Sequence, residues 1–253
     1  MPERDEDSLP RMPFLQHLAE LRKVLVTALV VLVAGTAAAW FASGRILSVL
    51  TKLMPGEDVA HIFSPPEAFL IRLKVSAATA LFVGVPVILF QIWRFLAPAL
   101  YGHERRRLIP LFLVSTGLFY GGTVFAYLVI TPIMLAYFWR LVPAGVMMTV
   151  GISQLFAIVA KLSVAFGVVF QLPLIIFMLS LMGLVSPRWL LRQWRIALVV
   201  LLVFSAVLTP PDIISQLFMT VPLFLLYLVS VGLSLLVERR RPPAGSVDTP
   251  EGL

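Results

Sequence analysis

The sequence predicts an all-α polytopic membrane protein with six transmembrane helices, and three observations carry that expectation. Of 253 residues, 60% are hydrophobic and 13% charged, with a mean hydropathy of +0.98, more apolar than a water-facing surface tolerates. Uncharged stretches of about 18 residues or more recur along the chain, and a helix needs roughly 20 residues to cross a hydrocarbon core of about 30 Å. The basic residues fall in short clusters between those stretches rather than along one face, so the net charge of +7 speaks of topology and not of nucleic acid.

Taken in order, Met1 to Arg11 is polar and carries acids, unlike a secretory or transit peptide, so the first apolar stretch is expected to act as its own insertion signal. The first span is expected over about residues 22–42, closing on Trp40 and Phe41, which suit a headgroup interface. Ser64, Pro65, Pro66 and Glu67 read as a capping box with proline at the first helical position, opening a second span over 68–94 with a kink at Pro86. The third, 107–132, is expected to leave the membrane at Pro132 and be followed by an outer loop. The fourth, 160–184, contains Gly167 and Pro173 and stops at Ser186 and Pro187. Ile196 to Leu208 is short: its 13 residues make only about 20 Å of helix. It reads either as a re-entrant segment or as a brief fifth helix over 195–208 that turns back at Thr209, Pro210, Pro211 and Asp212. The charge distribution calls for six crossings and favours the helix. Asp212 then caps the last span, 213–237.

Short cytoplasmic segments carry an excess of lysine and arginine. Arg4, Arg11, Arg22 and Lys23, then Arg94 and Arg105 to Arg107, then Arg188, Arg192 and Arg195, then Arg239 to Arg241 hold 14 of the 20 basic residues. Placing those segments inside puts both termini in the cytoplasm. Arg45, Lys52, Arg72, Lys74, Arg140 and Lys161 fall on the outer side, the first four offset by Glu57, Asp58 and Glu67. Residues 1–241 form a single membrane domain in this reading, and 242–253 form a disordered cytoplasmic tail.

Little in the chain suits catalysis. The three histidines, His17, His61 and His103, are not spaced as metal ligands, there is no cysteine, and Ser153 has neither an elbow motif nor a base. No metal site, cofactor or enzymatic activity is expected. Three polar features stand out instead. His17 to Lys23, with Glu20 and Arg22, forms an amphipathic turn before the first span, where Glu20 and Lys23 can also simply pair. Ala97 to Arg107 sets Tyr101, His103 and Glu104 ahead of three arginines, of which the arginines alone satisfy the positive-inside rule. Gln171 lies beside Pro173 within an apolar span, where an amide facing lipid would go unsatisfied.

These features resemble a known family. His17 to Lys23; Ala97 to Arg106 with Tyr101, His103 and Glu104; Ala165, Phe166 and Gly167 ahead of Gln171 and Pro173; and Leu208, Thr209, Pro210, Pro211, Asp212, Ser215 and Gln216 occur in the order found in the TatC family, across nearly the whole chain. TatC is the multispan receptor subunit of the twin-arginine translocase, which moves folded proteins across bacterial cytoplasmic or thylakoid membranes. The resemblance implies six helices in a concave, glove-like arrangement with two short final helices. It implies a site for twin-arginine signal peptides of folded precursors at Glu20, Arg22, Phe95, Glu104 and Arg105, with Gln171 a polar point within the groove. It further implies contact with single-span TatA/TatB-type subunits through Thr209 and Gln216, an oligomeric receptor complex, and a place in the bacterial inner membrane. Gln171 stands where several members carry glutamate, which leaves it a hydrogen-bonding role without titration. Two other classes compete. Pro86, Pro173 and Pro222 inside spans fit the broken helices of a small-solute secondary transporter, although no mid-membrane charge is present to couple ions. An intramembrane hydrolase lacks its base.

Overall fold

The computed structural model describes residues 14–52, 61–96, 108–143, 145–146, 149–209 and 212–240. Regular structure among them is helical, apart from one isolated parallel bridge between His61 and Gly151. Among the described residues, five helical stretches are long and apolar enough to cross a bilayer, of 24 to 32 residues each, and Trp194–Leu208 is a shorter apolar helix. The all-helical membrane class read from composition therefore holds.

By their contacts the residues group into two compact units, 1–48 with 64–116, and 49–63 with 117–253. In the first, α1 (Phe14–Ala39) packs along α3 (Pro65–Leu96). Small residues let the two backbones approach, as is usual between membrane helices. A Cβ added at Gly35 would lie 2.9 Å from the Cβ of Ala80. Ile71, Val75 and Val85 complete the buried side of α3, and Trp40 packs its ring 5.5 Å from that of Phe69. The helix α3 begins where the capping motif predicts it, with the Glu67 N–H donating to the Ser64 carbonyl, and it runs through Pro86 without ending. Helical structure does not finish at residue 42. A 3-10 turn at Trp40–Ala42 leads into a further helix, α2 (Ser43–Thr51), because the Ser43 hydroxyl donates to the Trp40 carbonyl and holds the backbone helical through the turn.

The second unit holds the later helices, and two of its breaks differ from expectation. The third apolar stretch forms α4 (Leu108–Phe125), a wider π turn at Ala126–Ile130 and α5 (Thr131–Arg140), so the chain stays helical for eight residues beyond Pro132. Proline cannot donate an N–H and its ring crowds the carbonyl four residues back, but here the preceding turn widens, the Thr131 N–H and Oγ1 both donating to the Ala126 carbonyl five residues back, so the helix need not stop. The fourth stretch starts earlier than 160, at the first residue of α6 (Ile152–Val169). It breaks at Phe170 and Gln171 before resuming as α7 (Leu172–Leu181). At this proline the turn tightens instead, the Gln171 N–H reaching the Val168 carbonyl three residues back at 3.0 Å.

Ser186 then caps the short α8 (Pro187–Arg192), its Oγ accepting from the Trp189 N–H, and α9 (Trp194–Leu208) and α10 (Ile213–Arg240) follow. The predicted short fifth helix is α9, but α10, at 28 residues, is not the second short helix that the resemblance implied. Ala126, Ile130, Met134, Leu162, Phe166, Met219, Leu223 and Val231 make the core of this unit. The proposed tail, 242–253, lies outside the described residues.

Candidate functional site

Of the residues expected at the cytoplasmic face, Glu20 and Arg22 fall on α1, and the Arg22 side chain is exposed. Phe95 sits half-buried in the last turn of α3, directly before the segment that carries Glu104 and Arg105. Those two, with Tyr101 and His103, lie outside the described residues. Gln171 is half-buried at the break between α6 and α7, not within a continuous helix as its sequence position suggested.

The hairpin of α9 and α10 is built from hydroxyls and amides. Thr209 is buried, its Oγ1 and its N–H both donating to the Ser205 carbonyl at 2.9 Å. The Gln216 Nε2 donates to the Leu202 carbonyl at 2.9 Å, tying the first turn of α10 back to α9. Buried Ser205 and Thr220 meet side chain to side chain at 3.0 Å. Further along α10 the Tyr227 hydroxyl donates to the Leu190 carbonyl at 2.7 Å, and Ser234 bonds Ser180 of α7. Thr220, Tyr227 and Ser234 follow one another at intervals of seven, so they line a single helix face, and this seam holds α7, α8 and α9 against α10. The pattern is present in the sequence but gives no signal there, because hydroxyls score as neutral within an apolar run.

Asp212 caps α10 as predicted. Its Oδ2 accepts from the Ser215 N–H at 2.9 Å, and its backbone carbonyl accepts from the Gln216 N–H at 3.1 Å. The Ser215 N–H, with smaller help from the Ser215 and Tyr137 hydroxyls, holds the carboxyl below the usual aspartate range, against an opposing contribution from partial desolvation. The Tyr137 hydroxyl is at 3.5 Å. A carboxylate with a folded-state pKa below its unfolded one adds stability that is present above the unfolded pKa and is lost as pH falls through the folded one. Asp212→Asn protein is therefore expected to unfold at a lower temperature than wild type at neutral pH, and the gap is expected to narrow on acidification. Thermal unfolding of both proteins across pH checks this; a gap that stays constant would deny the carboxylate that role.

An apolar hollow of about 470 Å³ lies between the π turn with α5 and the first half of α10, lined by Phe125, Val129, Ile133, Leu217, Phe218 and Val221. It offers no polar group for chemistry. No group of three or more histidine, aspartate or glutamate side chains gathers as a metal site among the described residues.

Helices of this length and composition define a multi-pass, all-helical membrane protein. Known proteins narrow the class. The family described as Sec-independent protein translocase protein (TatC) matches residues 16–222. The TatC of Aquifex aeolicus is 34% identical over 236 residues, 91% of this chain and 98% of that protein. The TatC of Escherichia coli K12 is 35% identical over 223 residues, 87% of this chain and 86% of that protein. A crystal structure of the twin-arginine translocase receptor TatC superposes with a TM-score of 0.80 at 34% identity, covering 88% of this chain and all of the other. The chain belongs to the TatC family. It is thus a component of the twin-arginine protein translocase and not an enzyme, and the solute-transporter alternative is not favoured.

Proposed function

We propose that this chain is the subunit that receives twin-arginine signal peptides of folded precursors at the cytoplasmic face of the bacterial inner membrane, with Glu20 and Glu104 accepting the two guanidinium groups. The observation that carries this reading is the presence of acids inside strongly basic segments, where the positive-inside tendency gives no reason for them. Carboxylates match the planar donor fork of arginine, and Arg22, Phe95 and Arg105 lie beside them in the sequence or at the adjoining helix end. The reading requires six crossings with both termini inside, α9 serving as the brief fifth span, and one membrane domain over residues 1–241. Gln171 supplies a polar point for the apolar part of the signal.

Single-span TatA/TatB-type subunits complete the translocation site in this proposal, meeting the hairpin near Thr209 and Gln216, and the receptor is oligomeric. The Thr209 hydroxyl and the Gln216 amide nitrogen already bond within the hairpin, so their contribution to a partner contact is a stiffened, preorganised turn. Crosslinking of a twin-arginine precursor to membranes carrying Glu20→Ala or Glu104→Ala is expected to fall well below the wild-type level. Undiminished crosslinking in both variants would reject the site.

A further inference from the structure

The stretch formed by α6 and α7 is the most enclosed of the apolar spans, with 56% of its most apolar window buried against 6% for the stretch containing α1. Leu155, Val159, Leu162 and Phe166 face the core. What α6 leaves open is one narrow stripe on the opposite side, in which Gln154, Ala157, Lys161 and Val168 are exposed and Val164 is half-buried. Their spacing of three and four residues puts them on one face.

The stripe is graded along its length. Its first two turns hold an amide, a small residue and a cation, and beyond Lys161 it continues with Val164 and Val168. Neither the Gln154 nor the Lys161 side chain has a polar partner among the described residues. No aspartate or glutamate occurs in the sequence between Glu104 and Asp212. Arg72 and Lys74 are likewise exposed cations, seven and nine residues into α3, whereas the stretch containing α1 has no charge from Val24 to Gly44.

Lys161 lies nine residues into α6, about 14 Å along it. Helical side chains lean toward the N-terminus, so its ammonium rises along the stripe toward Gln154, over the space left by Ala157. We propose that this stripe is a binding site for an anionic phospholipid of the leaflet at the α6 N-terminal end. The headgroup phosphate sits between the Lys161 ammonium and the Gln154 amide, and an acyl chain runs down Val164 and Val168. A membrane helix bearing one carboxylate would satisfy Lys161 as well. The gradient from polar to apolar along the stripe matches a lipid better, because a helix of the partner would run its apolar surface past Gln154 too. The inference needs only that α6 spans the membrane and is independent of what the cytoplasmic face binds.

The test is native mass spectrometry and thermal unfolding of the purified protein in detergent, with phosphatidylglycerol, phosphatidylcholine of the same acyl chains, or inorganic phosphate added. Wild-type protein is expected to retain one more phosphatidylglycerol than the Lys161→Gln variant and to gain several degrees more from it than from phosphatidylcholine. Lys161→Arg is expected to keep both effects, Gln154→Ala to weaken them, and inorganic phosphate to produce neither. Equal phosphatidylglycerol retention by wild type and Lys161→Gln would overturn the proposal, as would equal stabilisation by the two lipids or a shift reproduced by inorganic phosphate. Lipid retention unchanged in Lys161→Gln, with loss of a co-purifying single-span subunit, would assign the cation to a protein carboxylate and overturn it as well.

Discussion

Gly122→Ala protein is expected to lose about 3 kcal/mol of stability, the upper end of the usual range for overpacking a core. The new Cβ would lie 2.6 Å from the Phe166 carbonyl oxygen and 2.7 Å from the Phe170 ring. The ring can turn aside, but the carbonyl belongs to the backbone of α6, so α4 and α6 would have to separate. That contact is where α4 enters the second unit, with the Thr123 Oγ1 donating to the Ser163 carbonyl at 3.3 Å on the next residue along. Gly121 is the control: a Cβ there meets nothing within 4 Å, and Gly121→Ala is expected to be neutral or to gain up to about 1 kcal/mol from helix propensity. Denaturant titration in mixed micelles separates the two variants. Equal behaviour would mean that the α4–α6 approach is looser than described.

A signal peptide with both arginines exchanged for lysine is expected to bind at least tenfold more weakly. Lysine keeps the charge and loses the paired donors that fit a carboxylate, and a hydrogen bond to a charged group contributes about 1.5–3 kcal/mol. One such bond lost already corresponds to about tenfold in affinity, since 1.4 kcal/mol is a factor of ten. With both Glu20 and Glu104 changed to glutamine the ratio of the two affinities is expected to fall close to one. Fluorescence titration of labelled peptides against the purified receptor measures both ratios. A ratio that survives the double change would place arginine recognition elsewhere on the chain.

Much of the membrane architecture was legible before any coordinates. The spans 68–94 and 213–237 fall inside α3 and α10, α3 starts directly after Ser64, and Asp212 caps α10 where a short polar motif placed it. These are local matters. A capping side chain acts within four residues, and an apolar run excludes water whatever it packs against. The candidate site was legible in residue identity but not in geometry. Thr209 and Gln216 stood out as polar near a turn, yet nothing in the sequence said that their donors would close on Ser205 and Leu202 of the preceding helix.

Two prolines show where sequence reading ends. Pro132 and Pro173 both stand within long apolar runs, and each removes the same backbone donor. A widened turn carries the helix past the first, while the second coincides with a tightened turn that separates α6 from α7 at Gln171. By itself the sequence determined that this is a multi-pass helical membrane protein, where its arginine clusters lie and which helices begin at caps, because hydrophobicity, charge and capping are properties of neighbouring residues. Tertiary structure alone decided which proline breaks a helix, which hydroxyls of α10 meet α7, α8 and α9, and which face of α6 stays open with Lys161 upon it. Each of these depends on what another segment of the chain brings within bonding distance.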